Sequence, residues 1–420
     1  MQPERIEDLR RRAEAGEPRA QYALAAALAA AGRRDEADHW LNRAAAGGEA
    51  EAHYTLATRK LQSSAGVAEA RALLEKSVSG GSPSAARALA VLMASGIDSP
   101  ADWPAALALV AEAAECGDAA AARDVAGLLL LADIDDEDGA RLLAGAAEND
   151  AVAGAAFVRR AAEGRADAGK AAAVLGRLAA VNYPRVQTLH GKLAGAPRPG
   201  TGVAAVGGAD FALVAEKLAR MAPALEALGK GAGRPSRQIA REDLGESPRA
   251  FAARSVAPPE ISEYLIAAAA RCLAPSMTFD PVTGVARQDE YRTSLTATMG
   301  LADQDLTLVA VNHLLADVAG LDHAHGEFLS VLRYAPGQEY RPHFDWIPPA
   351  GRDFAACGQR IRTALLYLND EYDGGETHFL SSGLSFKGAP GDVLVFSNVT
   401  DDGAPDQSSR HAGLPVRGGV

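Results

Sequence analysis

Two histidines and an aspartate carry the densest chemical signal in this chain of 420 residues. His343 and Asp345 flank Phe344, and in a β-strand residues two apart project from the same face, so the pair can grip one ion. His411 offers a remote third donor. A two-histidine, one-carboxylate set holds one side of a metal and leaves the other open to substrate and O2, which favours ferrous iron. The same ligands around zinc would instead support hydrolysis, with turnover that needs no O2.

Donors of this kind need a rigid frame. Residues 362–368 form a compact apolar run, residues 369–375 read as a turn, and residues 377–380 resume extension. Ala389-Pro390-Gly391-Asp392 then turns into Val393-Leu394-Val395-Phe396. Strand, turn and strand at this density suit a jelly roll, whose rolled sheets can hold a metal at one open end. Upstream, residues 251–256 read as a strand and Pro258-Pro259-Glu260 opens a helix that runs through Cys272. A loop with Pro281-Val282-Thr283-Gly284 and Arg292-Thr293-Ser294 follows, and a second helix is expected near residues 306–318.

The first part of the chain is different in texture. Ala15-Gly16-Glu17, Gly47-Gly48-Glu49, Gly80-Gly81-Ser82, Cys116-Gly117-Asp118 and Glu148-Asn149-Asp150 recur at spacings of 32 to 36 residues, each between Ala-rich helical stretches. Small residues let paired helices pack closely, Gly supplies the helix-ending conformation, and the following Glu, Ser or Asp can cap the next helix. Trp40 and Tyr54 read as core fillers, and His39 and His53 as packing or solvent-facing residues. Breakers at residues 195–202 and 231–235 bracket an amphipathic stretch over residues 211–228. This divides the chain into a helical array (1–195), a linker with one helix (196–246) and a β-rich domain (247–420), within the two or three domains its length predicts.

A net charge of −12 argues against a general nucleic-acid or anionic-membrane binder. The charged N-terminus lacks the apolar core of a signal peptide, and no apolar run spans a bilayer. Cys116, Cys272 and Cys357 are odd in number and far apart, as expected of reduced thiols. Together these features predict a cytoplasmic protein.

Two resemblances sharpen this picture. Asp35-Glu36-Ala37-x-x-Trp40-Leu41-x-x-Ala44-Ala45-x-Gly47 with Ala50-x-Ala52-x-Tyr54-x-Leu56 resembles Sel1-like repeats, relatives of the tetratricopeptide class. That resemblance implies a surface that binds a protein partner, the other reading being an inert spacer or capping platform. Val331-Leu332-Arg333-Tyr334-x-x-Gly337-Gln338-x-Tyr340-x-x-His343-x-Asp345, Thr363-Ala364-Leu365-Leu366-Tyr367-Leu368-Asn369, Gly374-Gly375-Glu376-Thr377, Gly391-Asp392 and His411-Ala412-Gly413-x-Pro415-Val416 resemble prolyl 4-hydroxylase-type dioxygenases. The resemblance implies a multidomain α and β chain, an N-terminal all-α helical-hairpin solenoid followed by a C-terminal double-stranded β-helix (jelly roll) with flanking helices.

It also implies Fe(II) bound by His343, Asp345 and His411, with 2-oxoglutarate as cosubstrate, O2, and ascorbate as a further cofactor. Tyr334 and Thr377 match positions that hydrogen-bond 2-oxoglutarate. The implied reaction hydroxylates a prolyl or other amino-acid side chain of a protein or peptide while the cosubstrate loses CO2 and becomes succinate. Arg292 falls where the family has a substrate-side loop, to bind substrate or to anchor that loop. His323-Ala324-His325 has metal-like spacing but sits in a Gly- and Asp-containing loop, and His378 faces away from Thr377.

One feature departs from the family pattern. Family members carry a Lys or Arg about ten residues after the last iron ligand, paired with the far carboxylate of 2-oxoglutarate. Counted from His411, that position falls one beyond Val420, and the final strand is expected to be missing with it. Arg417 is basic but close behind His411. Two forms are compatible: a shortened version of a competent enzyme, or a naturally short one with weakened cosubstrate binding. The alternative function is therefore a repeat-based interaction module whose dioxygenase domain is weak or inactive.

Overall fold

The computed structural model describes residues 3–132, 136–196, 211–228, 239–279, 286–288, 290–348 and 352–419. The breaker segments at 197–202 and 231–235 and the loop at 281–284 lie outside the described residues. Ala-rich helices fill the first part: α1 (Pro3–Glu14), α2 (Pro18–Ala30), α3 (Arg34–Ala46), α4 (Ala50–Lys60), α5 (Val67–Ser79) and α6 (Pro83–Ser95). They continue with α7 (Trp103–Glu115), α8 (Ala119–Ala132), α9 (Asp136–Ala146), α10 (Ala151–Ala162), α11 (Ala168–Ala180) and α12 (Val186–Ala194). The recurring turns behave as glycine turns should: Gly48 and Gly81 adopt φ of 87° and 84°, a left-handed geometry that a Cβ strains. The capping expectation holds for the short side chains only. Ser82, Asp118 and Asp150 accept backbone N–H groups of the next helix. Glu17 and Glu49 make no side-chain cap, because the extra methylene carries their carboxylates past the helix end.

The chain divides into two compact units. The first comprises Met1–Asp124 and Gly300–Val309. Its core joins Leu24, Leu28, Trp40 and Leu41 in one cluster and Leu74, Leu89, Leu92 and Leu301 in another. Here the Arg123 guanidinium bonds both Asp124 and Asp305.

The second unit comprises Val125–Met299 and Ala310–Val420. The amphipathic stretch forms α13 (Phe211–Ala227), and Lys217 on it pairs with Asp138 of α9, which places this helix on the preceding array. Then follow β1 (Arg241–Glu246), β2 (Arg249–Ala253), α14 (Pro259–Ala269), β3 (Ala274–Pro275), β4 (Thr278–Phe279), β5 (Ala286–Arg287) and β6 (Leu295–Thr298). The helix α15 (Leu306–Ala319) matches its expected span. The remaining elements are β7 (Ser330–Arg333), β8 (Tyr340–His343), α16 (Arg352–Cys357), β9 (Arg362–Leu366), β10 (Tyr372–Gly374) and β11 (Thr377–Phe379). The chain ends with β12 (Ser385–Phe386), β13 (Val393–Ser397), β14 (His411–Gly413) and β15 (Val416–Gly419).

Two antiparallel four-stranded sheets, ordered β1-β2-β13-β9 and β12-β11-β14-β8, form the jelly roll. Ala250, Ala252, Leu394 and Phe396 of the first sheet share one core with Phe379 and Phe386 of the second. β1 starts at Arg241, ahead of the boundary expected at 247; its Arg-Glu-Asp-Leu-Gly-Glu sequence shows no apolar alternation because it is a largely exposed edge strand. β15 pairs with β10. No described helix is long and apolar enough to cross a membrane.

Candidate active site

The register of the second sheet brings the candidate donors together. His411 on β14 pairs directly with His343 on β8, and across β14's other edge it faces Phe379 of β11. Phe379 and Phe396 pack against the His411 ring at 5.6 and 4.8 Å between centroids. The ladder ends at His343, so Asp345 lies beyond the strand rather than on a neighbouring pleat of it. Its carboxylate still turns to the two rings: His343 Nε2 lies 3.5 Å from Oδ1 and His411 Nε2 lies 3.8 Å from Oδ2. One ligand atom from each of the three residues falls within 4.8 Å of the others. Among the described residues this is the set of three with that property.

Hydrogen bonds fix how each donor points. His343 Nδ1 lies 2.8 Å from the Arg341 carbonyl and His411 Nδ1 lies 2.9 Å from that of Ser409. A carbonyl only accepts, so each ring carries its proton on Nδ1 and keeps an Nε2 lone pair free toward Asp345. Burial holds the His411 imidazole below its ordinary pKa, against the pull of Asp345. Burial opposes the charge on Asp345, but with both rings protonated, hydrogen bonding from His343, the charges of both histidines and the Thr363 hydroxyl hold its carboxyl far below the usual range. Thr363, on β9 of the facing sheet, donates to Asp345 Oδ2 at 2.7 Å. Asn398, fully buried, donates in turn to Thr363 Oγ1 at 2.9 Å. The site therefore sits where the two sheets face each other.

Tyr334 and Thr377, the two residues matched to cosubstrate binding, occupy separate walls. Burial pushes the pKa of the Tyr334 hydroxyl up, with Arg292 and Ser294 beside it pulling the other way. Thr377 is buried two residues along β11 from Phe379, with its hydroxyl 3.0 Å from that of Tyr367. Arg292 lies over the Tyr340 ring at 4.8 Å, and that ring stacks on His343 at 3.4 Å and 15°. Burial pushes the Tyr340 phenol up to about 12. Arg292 and Tyr340 are also joined by an isolated antiparallel backbone bridge.

Thr363, Tyr367, Asn398 and Tyr340 are site residues that motif reading did not single out for a role. Tyr340 and Tyr367 stood inside quoted motifs, and alternation along residues 362–368 puts Thr363 and Tyr367 on one face of the run. For Asn398 no sequence signal exists. His323 and His325 lie in a short 3-10 helix, where the His323 ring sits 3.8 Å from His313. His378 bonds Ser385 at 2.8 Å, turned from the donors by the strand alternation.

Residues 329–420 match the 2OG-Fe(II) oxygenase superfamily. "Probable prolyl 4-hydroxylase 3" of Arabidopsis thaliana is 32% identical over 194 residues, covering 42% of this chain and 67% of that protein. The chain belongs to the prolyl 4-hydroxylase family of 2OG-Fe(II) oxygenases. It is a 2-oxoglutarate- and Fe(II)-dependent dioxygenase of that type. Among solved structures, viral collagen prolyl hydroxylase from Paramecium Bursaria Chlorella virus-1 aligns at 21% identity and a TM-score of 0.32, covering 40% of this chain and 90% of its own. A Sel1 repeat protein from Oxalobacter formigenes aligns at 21% identity and a TM-score of 0.37, covering 50% and 88%.

Proposed function

We propose that this oxygenase binds Fe(II) through His343, Asp345 and His411, binds 2-oxoglutarate with Tyr334 and Thr377, and hydroxylates a prolyl or other amino-acid side chain of a protein or peptide. The observation that carries the reading is the commitment of both Nδ1 atoms to backbone carbonyls, which leaves two neutral nitrogens and one carboxylate convergent. That donor set suits ferrous iron with open positions. Iron held by His343, Asp345 and His411 would supply, with 2-oxoglutarate and O2, the oxidation of a substrate C–H bond to C–OH coupled to conversion of 2-oxoglutarate to succinate and CO2.

The chain's own residues orient the reactants. Thr363 and Asn398 hold the Asp345 carboxylate in one direction, and the Tyr340 ring covers His343. Tyr334 and Thr377 each present a hydroxyl able to donate to a carboxylate, the first with Arg292 and Ser294 beside it and the second 3.0 Å from the Tyr367 hydroxyl. In the same proposal residues 1–195 bind the protein partner, as stacked helical hairpins do. The oxygenase domain runs from residue 241, where β1 joins its sheet, and residues 196–240 link it to the helical array. Ascorbate enters as an added reductant.

An anaerobic titration with Fe(II) and then 2-oxoglutarate tests this, read by the weak visible charge-transfer band of the chelate. The band is expected in the wild-type protein and absent in His343→Ala and Asp345→Ala, which also lose succinate production. Iron binding without the band, or undiminished turnover in either variant, would refute the assignment.

A further inference from the structure

The turn between β9 and β10 carries Glu371, and three cations from the helices converge on this one carboxylate. Lys192 Nζ of α12 lies 2.5 Å away, Arg185 Nη2 just before α12 lies 3.4 Å away, and Arg159 Nη1 of α10 lies 3.6 Å away. Burial opposes the Glu371 charge, yet hydrogen bonding to Lys192 and the charges of Arg185 and Lys192 bring its carboxyl down to about 2. Arg185 is buried and spans two acids. Its Nε donates to Glu263 of α14 at 3.1 Å, and the Tyr183 hydroxyl donates to the same oxygen at 2.6 Å. A second buried pair, Arg160 of α10 with Glu260 of α14 at 3.1 Å, closes the same helix-to-helix seam. A lone surface ion pair is worth little, but a guanidinium held between two carboxylates in a dry seam fixes geometry.

What this geometry fixes lies on the other side of the turn. Glu371 leads directly into β10, and β10 pairs with β15, Tyr372 opposite Gly419 and Gly374 opposite Val416. The contact is close: a Cβ on Gly419 would meet the Glu371 carbonyl oxygen at 2.1 Å, and Gly419 has φ of 85°. β15 is bonded on its other side to the loop that joins Tyr334 to Tyr340. Gly337 N–H donates to the Val416 carbonyl at 2.7 Å, and Val416 N–H donates to the Gln338 carbonyl at 3.1 Å. Gln338 then reaches Thr293, next to Arg292, through its side-chain amide. β15 follows β14, which carries His411. The strand is therefore wedged between the turn that the helices hold and the loop that presents Tyr334 and Tyr340.

We propose that Glu371 is a positioning residue for 2-oxoglutarate: clamped by Arg159, Arg185 and Lys192, it sets β10 and β15, and through them the loop that carries Tyr334. Helices α10 to α12 are then a working part of the oxygenase site and not only a recruiting arm. This inference rests on the reading above that Tyr334 and Thr377 contact the cosubstrate.

The test compares the full chain with Glu371→Gln, Glu371→Asp and Lys192→Met. The readouts are 2-oxoglutarate affinity from the Fe(II) band, Fe(II) affinity alone, and amide hydrogen exchange. Glu371→Gln is expected to weaken 2-oxoglutarate by roughly fivefold or more, the scale of a typical coupling between sites. Fe(II) affinity stays unchanged, and exchange quickens at Gly337 and Val416 but not in β11. Lys192→Met shifts the same readouts in the same direction, and Glu371→Asp restores part of the loss. If Glu371→Gln fails to fold, Lys192→Met decides alone. Wild-type 2-oxoglutarate affinity in Lys192→Met and in any folded Glu371→Gln, or unchanged exchange at Gly337 and Val416, overturns the role of Glu371. A wild-type protein that binds Fe(II) but no 2-oxoglutarate overturns the cosubstrate reading instead.

Discussion

Replacing Thr363 by Val keeps the side-chain shape and removes one hydroxyl that serves two partners. It donates to Asp345 Oδ2 at 2.7 Å and accepts from Asn398 Nδ2 at 2.9 Å. The Asn398 donor points the hydroxyl hydrogen away from itself and onto the carboxylate, so the two bonds act as one relay. A hydrogen bond to a charged group is worth about 1.5–3 kcal/mol, which is roughly 10- to 150-fold in a binding constant. Outer-shell partners of metal ligands cost about 10- to 100-fold in affinity when removed, so the two estimates agree on a loss of one to two powers of ten. The orphaned Asn398 amide, buried at 0% exposure, should destabilise the fold by a further ~1–3 kcal/mol. Anaerobic Fe(II) titration and urea unfolding of the metal-free protein measure the two terms separately, with Thr363→Ser as the variant that keeps the hydroxyl. Fe(II) affinity within twofold of wild type in Thr363→Val would show that the relay does not orient the ligand.

Two further outcomes follow from particular contacts. Tyr367→Phe removes the hydroxyl 3.0 Å from Thr377 and should weaken 2-oxoglutarate by about fivefold, the equivalent of about 1 kcal/mol, with Fe(II) affinity unchanged; a steady-state KM series in 2-oxoglutarate checks it. Asp124 is fully buried, and desolvation raises its pKa from 3.8 to about 7, with Asp305 adding to the rise and Arg123 opposing it. A carboxyl raised in the folded state favours the protonated form there, so its contribution to stability is complete below pH ~4, falls as pH rises through about 7 and then levels off. Urea unfolding followed at the buried Trp103 should show that decline, and Asp124→Asn should flatten it; an identical pH slope in the variant would sink the assignment.

The sequence made parts of this protein legible because their signals are local. Compact apolar runs marked β9 and β13, helical periodicity marked α13, and glycine spacing marked the hairpin turns. β1 escaped notice because an exposed edge strand needs no apolar face. Asp345 was placed one step too regularly, since a period-two pattern cannot say where pairing stops, and β8 ends at His343. Glu17 and Glu49 looked like caps because composition does not measure reach.

By itself the sequence determined the donor types, their order, and the family whose motifs surround them, since ligand chemistry is written in residue identity. Only the tertiary structure decided which nitrogen of each histidine is free, that Thr363 and Asn398 stand behind Asp345, and that Arg185 and Lys192 reach Glu371. Those contacts join residues far apart in the chain. Their partners become neighbours only when sheet register and helix packing bury both, and no local pattern records a contact whose energy comes from being brought together out of water.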